Sequence, residues 1–322
     1  MAKRARSTPI RWKRVFATLD LKPPSDVTLV VEAIIETAVS LGGVAEPPTD
    51  EQVRVIVNEV VRVENWNSDK HPDATNQGHH RVARYSSGPQ RLRLHADIIE
   101  SLYTKVRPDD DEHITIERGG ALPKSGVRQE NIAVFVIGPP ASGKSRVARV
   151  LAESTHAITI DSDDAKRMLP EYRNGLNATA LHRESSEIIK GNNGLYREAL
   201  RSGMNVVVPT VGESIKELRD LLAEQVLPGS PLRGYRMYLV HVQCPVEIAA
   251  FRSLLRLRDT GRYVPLEKLL VEIGGRVQRA YGKMKQEQWA GYAAFSTRAD
   301  GKEPEVIENR GCAWFVQEKG SR

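Results

Sequence analysis

The stretch Ile132-Ala-Val-Phe-Val-Ile-Gly-Pro-Pro-Ala-Ser-Gly-Lys-Ser145 decides the fold. Its first six residues are uncharged and rich in β-branched side chains, which reads as a short buried strand. Gly138 ends the run, four residues follow, and Gly143, Lys144 and Ser145 complete the spacing G-x-x-x-x-G-K-[ST]. Arg146-Val-Ala-Arg-Val-Leu-Ala then carries apolar residues at helical spacing, so the loop opens a helix. A chance match in a glycine-containing turn would lack the strand before and the helix after. The glycines let backbone N–H groups approach phosphate oxygens, and the helix dipole favours an anion at that end. Gly138, Pro139, Pro140, Ala141, Ser142, Gly143, Lys144, Ser145 and Arg146 are therefore the expected nucleotide-binding residues. Lys144 can reach the terminal phosphates, and the Ser145 hydroxyl can ligate Mg²⁺.

Downstream the chain alternates regularly. Strand 132–137, helix 144–153 and strand 156–160 are followed by a loop, helix 178–202 and strand 205–209. Helix 213–225, strand 236–243 and helix 246–258 complete the series. This pattern predicts an α/β fold, a parallel sheet with helices on both faces. Trp289, Tyr292, Phe295, Trp314 and Phe315, in residues 287–322, suggest a last strand pair packed on the core.

Upstream, Arg91–Val106 reads as a helix with Leu92, Leu94, Ile98, Ile99, Leu102 and Tyr103 as its buried stripe. Residues 91–322 thus form the expected main domain. Residues 26–90 form a helical N-terminal region. Asp26 caps a helix over Val27–Leu41 that stops at Gly42-Gly43, and Thr49-Asp50-Glu51-Gln52 opens a second, roughly Glu51–Val63. Both are apolar on one face only, so they pack on each other or on the core. Residues 66–90 read as a polar loop and a hinge; His71, His79 and His80 there lack a completing ligand set for a metal. Residues 1–25 read as a loosely held basic leader.

Composition narrows the classes. No apolar run reaches bilayer length and the N-terminus has no apolar signal core, so no membrane is expected. Two cysteines, Cys244 and Cys312, make no disulfide framework, and a reduced, cytoplasmic setting is the default. A net charge of +6 suits anionic partners such as nucleotides. Beyond the leader there is no basic stripe interleaved with aromatics, so nucleic acid is not the expected partner.

In open α/β sheets ligands gather at the carboxyl ends of strands. After strand 156–160 comes Asp161-Ser-Asp-Asp164. A carboxylate here can take a proton from a hydroxyl or hold Mg²⁺ through water; the alternative is an acidic helix cap. His182, Glu184 and Ser185 crowd the start of the long helix as candidate pocket residues. Thr210 follows strand 205–209, where no acidic residue stands, which throws weight onto Asp161 and Asp163. Arg252 and Arg256 share a helix face, and Thr260-Gly261-Arg262 ends that helix in a loop read as a mobile lid. Arginine neutralises charge on a transferred phosphoryl group.

Together these residues resemble the zeta-toxin family of P-loop kinases, over roughly residues 91–281. The pieces are Gly138–Ser145, Ile158–Pro170, Ala199–Val208 with its Gly203-Met-Asn-Val-Val, and Arg256 followed by Thr260-Gly261-Arg262. The family's D-x-D-x-x-[KR] segment with a following proline maps onto Asp161, Asp163, Lys166 and Pro170. The resemblance implies a P-loop kinase-like fold that uses ATP or GTP and Mg²⁺ to phosphorylate the sugar 3′-hydroxyl of UDP-N-acetylglucosamine. It implies Asp163 as general base, Arg256 and Arg262 as phosphate clamps, Lys144 and Ser145 on nucleotide and metal, and Asp161 and Lys166 in the acceptor site. The family's substrate-binding glutamate has no counterpart, since direct alignment lands on Asn193 and Glu184 lies a few turns earlier. Related effector kinases phosphorylate NAD, so the expected acceptor is a nucleotide sugar or NAD. Zeta toxins are restrained by a helical antitoxin. Here it is either a separate chain or the fused helices 26–41 and 51–63, which could equally be a structural extension. Two other readings remain open at this point, a polynucleotide kinase and a nucleotide-dependent interaction protein.

Overall fold

A computed structural model describes residues 10–68, 75–110, 114–173, 178–299 and 301–315. His71, residues 1–9 of the leader and Phe315's side chain therefore lie outside what is described. The frame is a six-stranded sheet in the order β2-β3-β1-β4-β5-β6. Its strands are β1 (Ile132–Ile137), β2 (Ile158–Thr159), β3 (Val206–Thr210), β4 (Arg236–Gln243), β5 (Gly291–Ser296) and β6 (Glu305–Arg310). β1 to β5 run parallel and β6 antiparallel to β5, which makes the sheet mixed at one edge. β1 lies at the centre, Ala133 paired with Val206 on one side and Met237 on the other.

All six β1 side chains are buried, alternating between the two faces of the sheet, and Ile137 joins the core of the helices Pro24–Ser40, Asp50–Ser68 and Val246–Thr260. Ile132, Val134 and Val136 pack with Val147 and Leu151 of α5 (Lys144–Thr155). Ala133 and Phe135 face α4 (Gly88–Thr104), α8 (His182–Lys190) and α9 (Leu195–Arg201). Each such side chain stabilises the fold by about 1.5–3 kcal/mol relative to exposure. The α/β fold with helices on both faces is as the alternation predicts.

Four local expectations are corrected. The long helix 178–202 is a 3₁₀ turn at Ala178–Leu181, then α8, then α9, broken at Gly191-Asn-Asn-Gly194, whose residues are poor helix formers. In α4 the residue inside is Arg91, 2 % exposed, whereas Leu92 is 70 % exposed. The helix expected from Asp26 starts earlier, as α2 (Pro24–Ser40), with Asp26 in its first turn. The leader is docked from residue 10: α1 (Trp12–Val15) buries Trp12 in the core that holds α2, α3 (Asp50–Ser68) and α11 (Val246–Thr260). Among the described residues no helix is long and apolar enough to cross a membrane.

Candidate active site

The cleft opens at the carboxyl ends of the parallel strands. After β1 the chain turns through residues 138–143 into α5. Gly138 permits this because a Cβ there would lie 2.8 Å from Ser142 Oγ and 3.0 Å from the Val242 carbonyl. Gly143 sits at φ +85°, and even Ala141 is held at φ +58°, a left-handed conformation costing an L-residue roughly 1 kcal/mol. The loop is braced from the far end of the sheet, where Thr297 Oγ1 donates to the Ser142 carbonyl at 2.6 Å. Ser142 Oγ is buried with no hydrogen-bond partner. Lys144 Nζ donates to the carbonyls of Gly138 and Pro139, at 2.8 and 2.7 Å. Burial, reinforced by Arg256 and opposed by Asp161, lowers its pKa to about 8.

Beyond β2 three aspartates separate by role. Asp161 is the N-cap of α6 (Ser162–Met168), its Oδ1 accepting the Asp163 N–H at 3.0 Å, and it also lines the cleft. Asp163 faces the cleft between Lys166 Nζ, at 2.9 Å, and the Arg262 guanidinium. Burial alone would raise its pKa, but Arg262, then Lys166 and Arg167, hold its carboxylate well below the ordinary range. Asp164 turns inward, 1 % exposed, onto Arg107 at 2.6 Å and Arg167 at 3.1 Å. There burial, against the pull of Arg107, pushes its pKa up to about 6.

The cleft encloses about 890 Å³ and is lined by Pro140, Ala141, Gly143, Lys144, Ser145 and Arg146 of the loop. Asp161, Asp163, Lys166, His182, Thr210, Arg252, Arg256 and Arg262 line it as well. Gly138, Pro139 and Ser142 support the loop from behind without lining it. Arg146 is anchored at the rim, pairing with Glu303 and donating to the Lys302 carbonyl at 2.9 Å. Arg262 follows Gly261, the left-handed C-cap of α11, and its neighbour Tyr263 is 6 % exposed. The loop read as a mobile lid is thus packed against the body of the protein.

Two expected pocket residues are not in the cleft. Glu184 is sealed behind α8, bonded through Oε1 to Arg91 Nε and His95 Nε2, both at 2.6 Å. Arg91 also binds Glu171 of α7 (Pro170–Arg173) at 2.8 Å. Ser185 is fully buried, its hydroxyl donating to the His182 carbonyl at 3.0 Å. The cleft instead receives Ser186 and Lys190, one and two turns along from His182. The 3.6-residue period from His182 points to these two; clustering of polar residue types pointed elsewhere. Tyr263 and Lys268 also line the cleft, and their sequence context carries no signal for it. Among the described residues no group of three or more His, Cys, Asp or Glu side chains could hold a metal ion.

Residues 122–290, more than half of the chain, match the family model described as Zeta toxin. The chain belongs to the zeta-toxin family. Zeta toxins are kinase-like toxins of toxin–antitoxin systems, and the match spans the loop, both cleft aspartates and both arginines. Among solved structures, the chain is similar to one from the PezAT chromosomal toxin–antitoxin system of Streptococcus pneumoniae. The identity is 12%, covering 69% of this chain and 81% of that one, with a TM-score of 0.46. It is also similar to AvrRxo1-ORF1:AvrRxo1-ORF2 with sulfate ions, at 17% identity over 70% of this chain and 69% of that one, TM-score 0.47. The same complex with ATP gives 17% identity, the same coverages of 70% and 69%, and a TM-score of 0.43. No curated protein matches the chain.

Proposed function

We propose that this zeta-toxin family member is an ATP- or GTP-dependent kinase acting on a sugar hydroxyl of a nucleotide sugar such as UDP-N-acetylglucosamine, or of NAD. One observation carries the reading: a single cleft is lined by the phosphate loop, by Asp163 and by Arg256 and Arg262. A donor phosphate chain and an acceptor hydroxyl can therefore meet in it, and its volume suits small ligands.

In this reading the acceptor hydroxyl hydrogen-bonds to Asp163, which stays ionised at any physiological pH because of Arg262 and Lys166. So weak a base takes the proton late, as the new O–P bond forms, which suits a loose phosphoryl transfer state. Lys144 leaves the loop carbonyls for the phosphates, and Arg256 and Arg262 neutralise the equatorial oxygens. Ser145 and Asp161 offer hard oxygen donors at the cleft, and Asp161 Oδ2 takes no part in the helix cap. That donor set fits Mg²⁺, which is held by one or two protein oxygens together with phosphates and would neutralise phosphate charge there. His182, Ser186, Lys190 and Thr210 face the acceptor. A separate antitoxin chain and a cytoplasmic setting belong to the same proposal.

The test is incubation of the purified protein with γ-labelled ATP or GTP, Mg²⁺ and a panel of UDP-sugars and NAD, read by mass spectrometry. One acceptor should gain a phosphoryl group, and Asp163→Asn should abolish the gain while nucleotide still binds. Label transferred to none of the panel would overturn the acceptor class.

A further inference from the structure

The N-terminal helices lie outside the cleft yet touch three of its supports. No residue of 10–68 lines it. The apolar faces of α2 and α3 share one core with α11, the helix that carries Arg252 and Arg256. Trp12 Nε1 donates to Glu247 Oε1, in the first turn of α11, at 3.2 Å. At the end of α2 the Leu41 carbonyl accepts Arg298 Nε at 2.8 Å, next to the Thr297 that braces the phosphate loop. At the far end of α3, Glu64 accepts the hydroxyl of Tyr263, the neighbour of Arg262. The same hydroxyl accepts the Leu266 N–H at 3.3 Å, so one buried phenol ties the 261–266 backbone to itself and to α3.

We propose that these helices are a brace that keeps the arginine loop assembled, and that Glu64 is the positioning residue through which it acts. Glu64 fixes Tyr263 and also accepts the Leu266 N–H, Tyr263 fixes the same loop backbone, and that backbone holds the Arg262 guanidinium against Asp163. An occluding inhibitor would place side chains in the cleft. The described residues of this region pack instead on α11, on the helix at Lys268–Ile273 and beneath the loops. The catalytic consequence rests on the kinase reading above; the mechanical one does not.

Removing residues 1–64 would strip α11 of its apolar cover and is no test. The experiment uses the full chain with Glu64→Ala, Glu64→Gln, Tyr263→Phe and the Glu64→Ala/Tyr263→Phe double variant. Amide hydrogen exchange of residues 262–267, followed by mass spectrometry, should accelerate at least about fivefold in Glu64→Ala, with β1 and α5 unchanged. Glu64→Gln, which keeps an acceptor oxygen, should restore slow exchange, and the double variant, which takes both acceptors from the Leu266 N–H, should exchange faster than either single variant. With an acceptor from the panel, kcat should fall roughly tenfold while affinity for a fluorescent ATP analogue stays within twofold. Unchanged exchange in Glu64→Ala overturns the brace, as does a rise in transfer rate. If the wild type phosphorylates nothing on the panel, the kinase reading fails and the exchange result still decides the brace.

Discussion

Asp163 and Glu184 stand on two packed helices, α6 and α8, and each is gripped by an arginine, yet they belong to different kinds of site. The side chain of Asp163 is 34 % exposed and faces the cleft, whereas that of Glu184 is 0 % exposed. Glu184 also shares Arg91 with Glu171 and meets the half-buried His95, in a network whose arginine and two glutamates are all buried. A carboxylate that meets its arginine at a cleft wall can exchange that partner for a substrate. One that meets it in the interior can only hold helices together, because breaking the pair leaves a buried charge uncompensated. Charged residue types do not distinguish the two cases; access does.

The difference can be broken from either side. Asp163→Asn should lower phosphoryl transfer by up to roughly 10⁴-fold while leaving the denaturation midpoint near wild type. Normal turnover would remove Asp163 from the chemistry. Arg91→Met, which removes the arginine shared by two buried glutamates, should destabilise the fold by about 3–5 kcal/mol in urea titration. A loss below about 1 kcal/mol would mean that the interior network relaxes as a surface one does.

Acid sharpens the comparison. Burial works to raise the Glu184 pKa, but Arg91, then His95 and Thr75, hold it far below the ordinary value. A folded-state pKa depressed in this way contributes stability that is complete above the unfolded value near 4.3 and is lost as pH falls below it. The stability advantage of wild type over Glu184→Gln should therefore shrink from about pH 4 downward; an advantage independent of pH would contradict the assignment. The smallest effect belongs to the other face of α8. Lys190→Ala should raise the KM for an anionic acceptor roughly tenfold, with stability changed by less than about 0.5 kcal/mol.

The same contrast explains what could be read without coordinates. β1, the phosphate loop and α5 were legible because a buried strand, a glycine spacing and a helical period follow one another without a break over residues 132–152. Asp163 was legible because it follows the next strand. Glu184 and Ser185 misled because polar composition says nothing about which way a helix face turns, while Ser186 and Lys190 follow from counting turns from His182. Arg91 was hidden by the apolar stripe assigned around Leu92: an arginine inside needs two glutamates from 80 and 93 residues away, and no local pattern announces them. Trp12 stands among basic residues in 1–25, and that charge masks its docking.

The Thr297 hydroxyl on the Ser142 carbonyl spans 155 positions of sequence. On the ribosome the phosphate loop is made well before β5 and the Thr297 that follows it. At ordinary elongation rates the interval is roughly 8–30 s. During that time the nascent chain has a glycine loop without its prop and a β4 without its sheet neighbour β5. The order of synthesis thus delays completion of the cleft until β5 and residue 297 have been made.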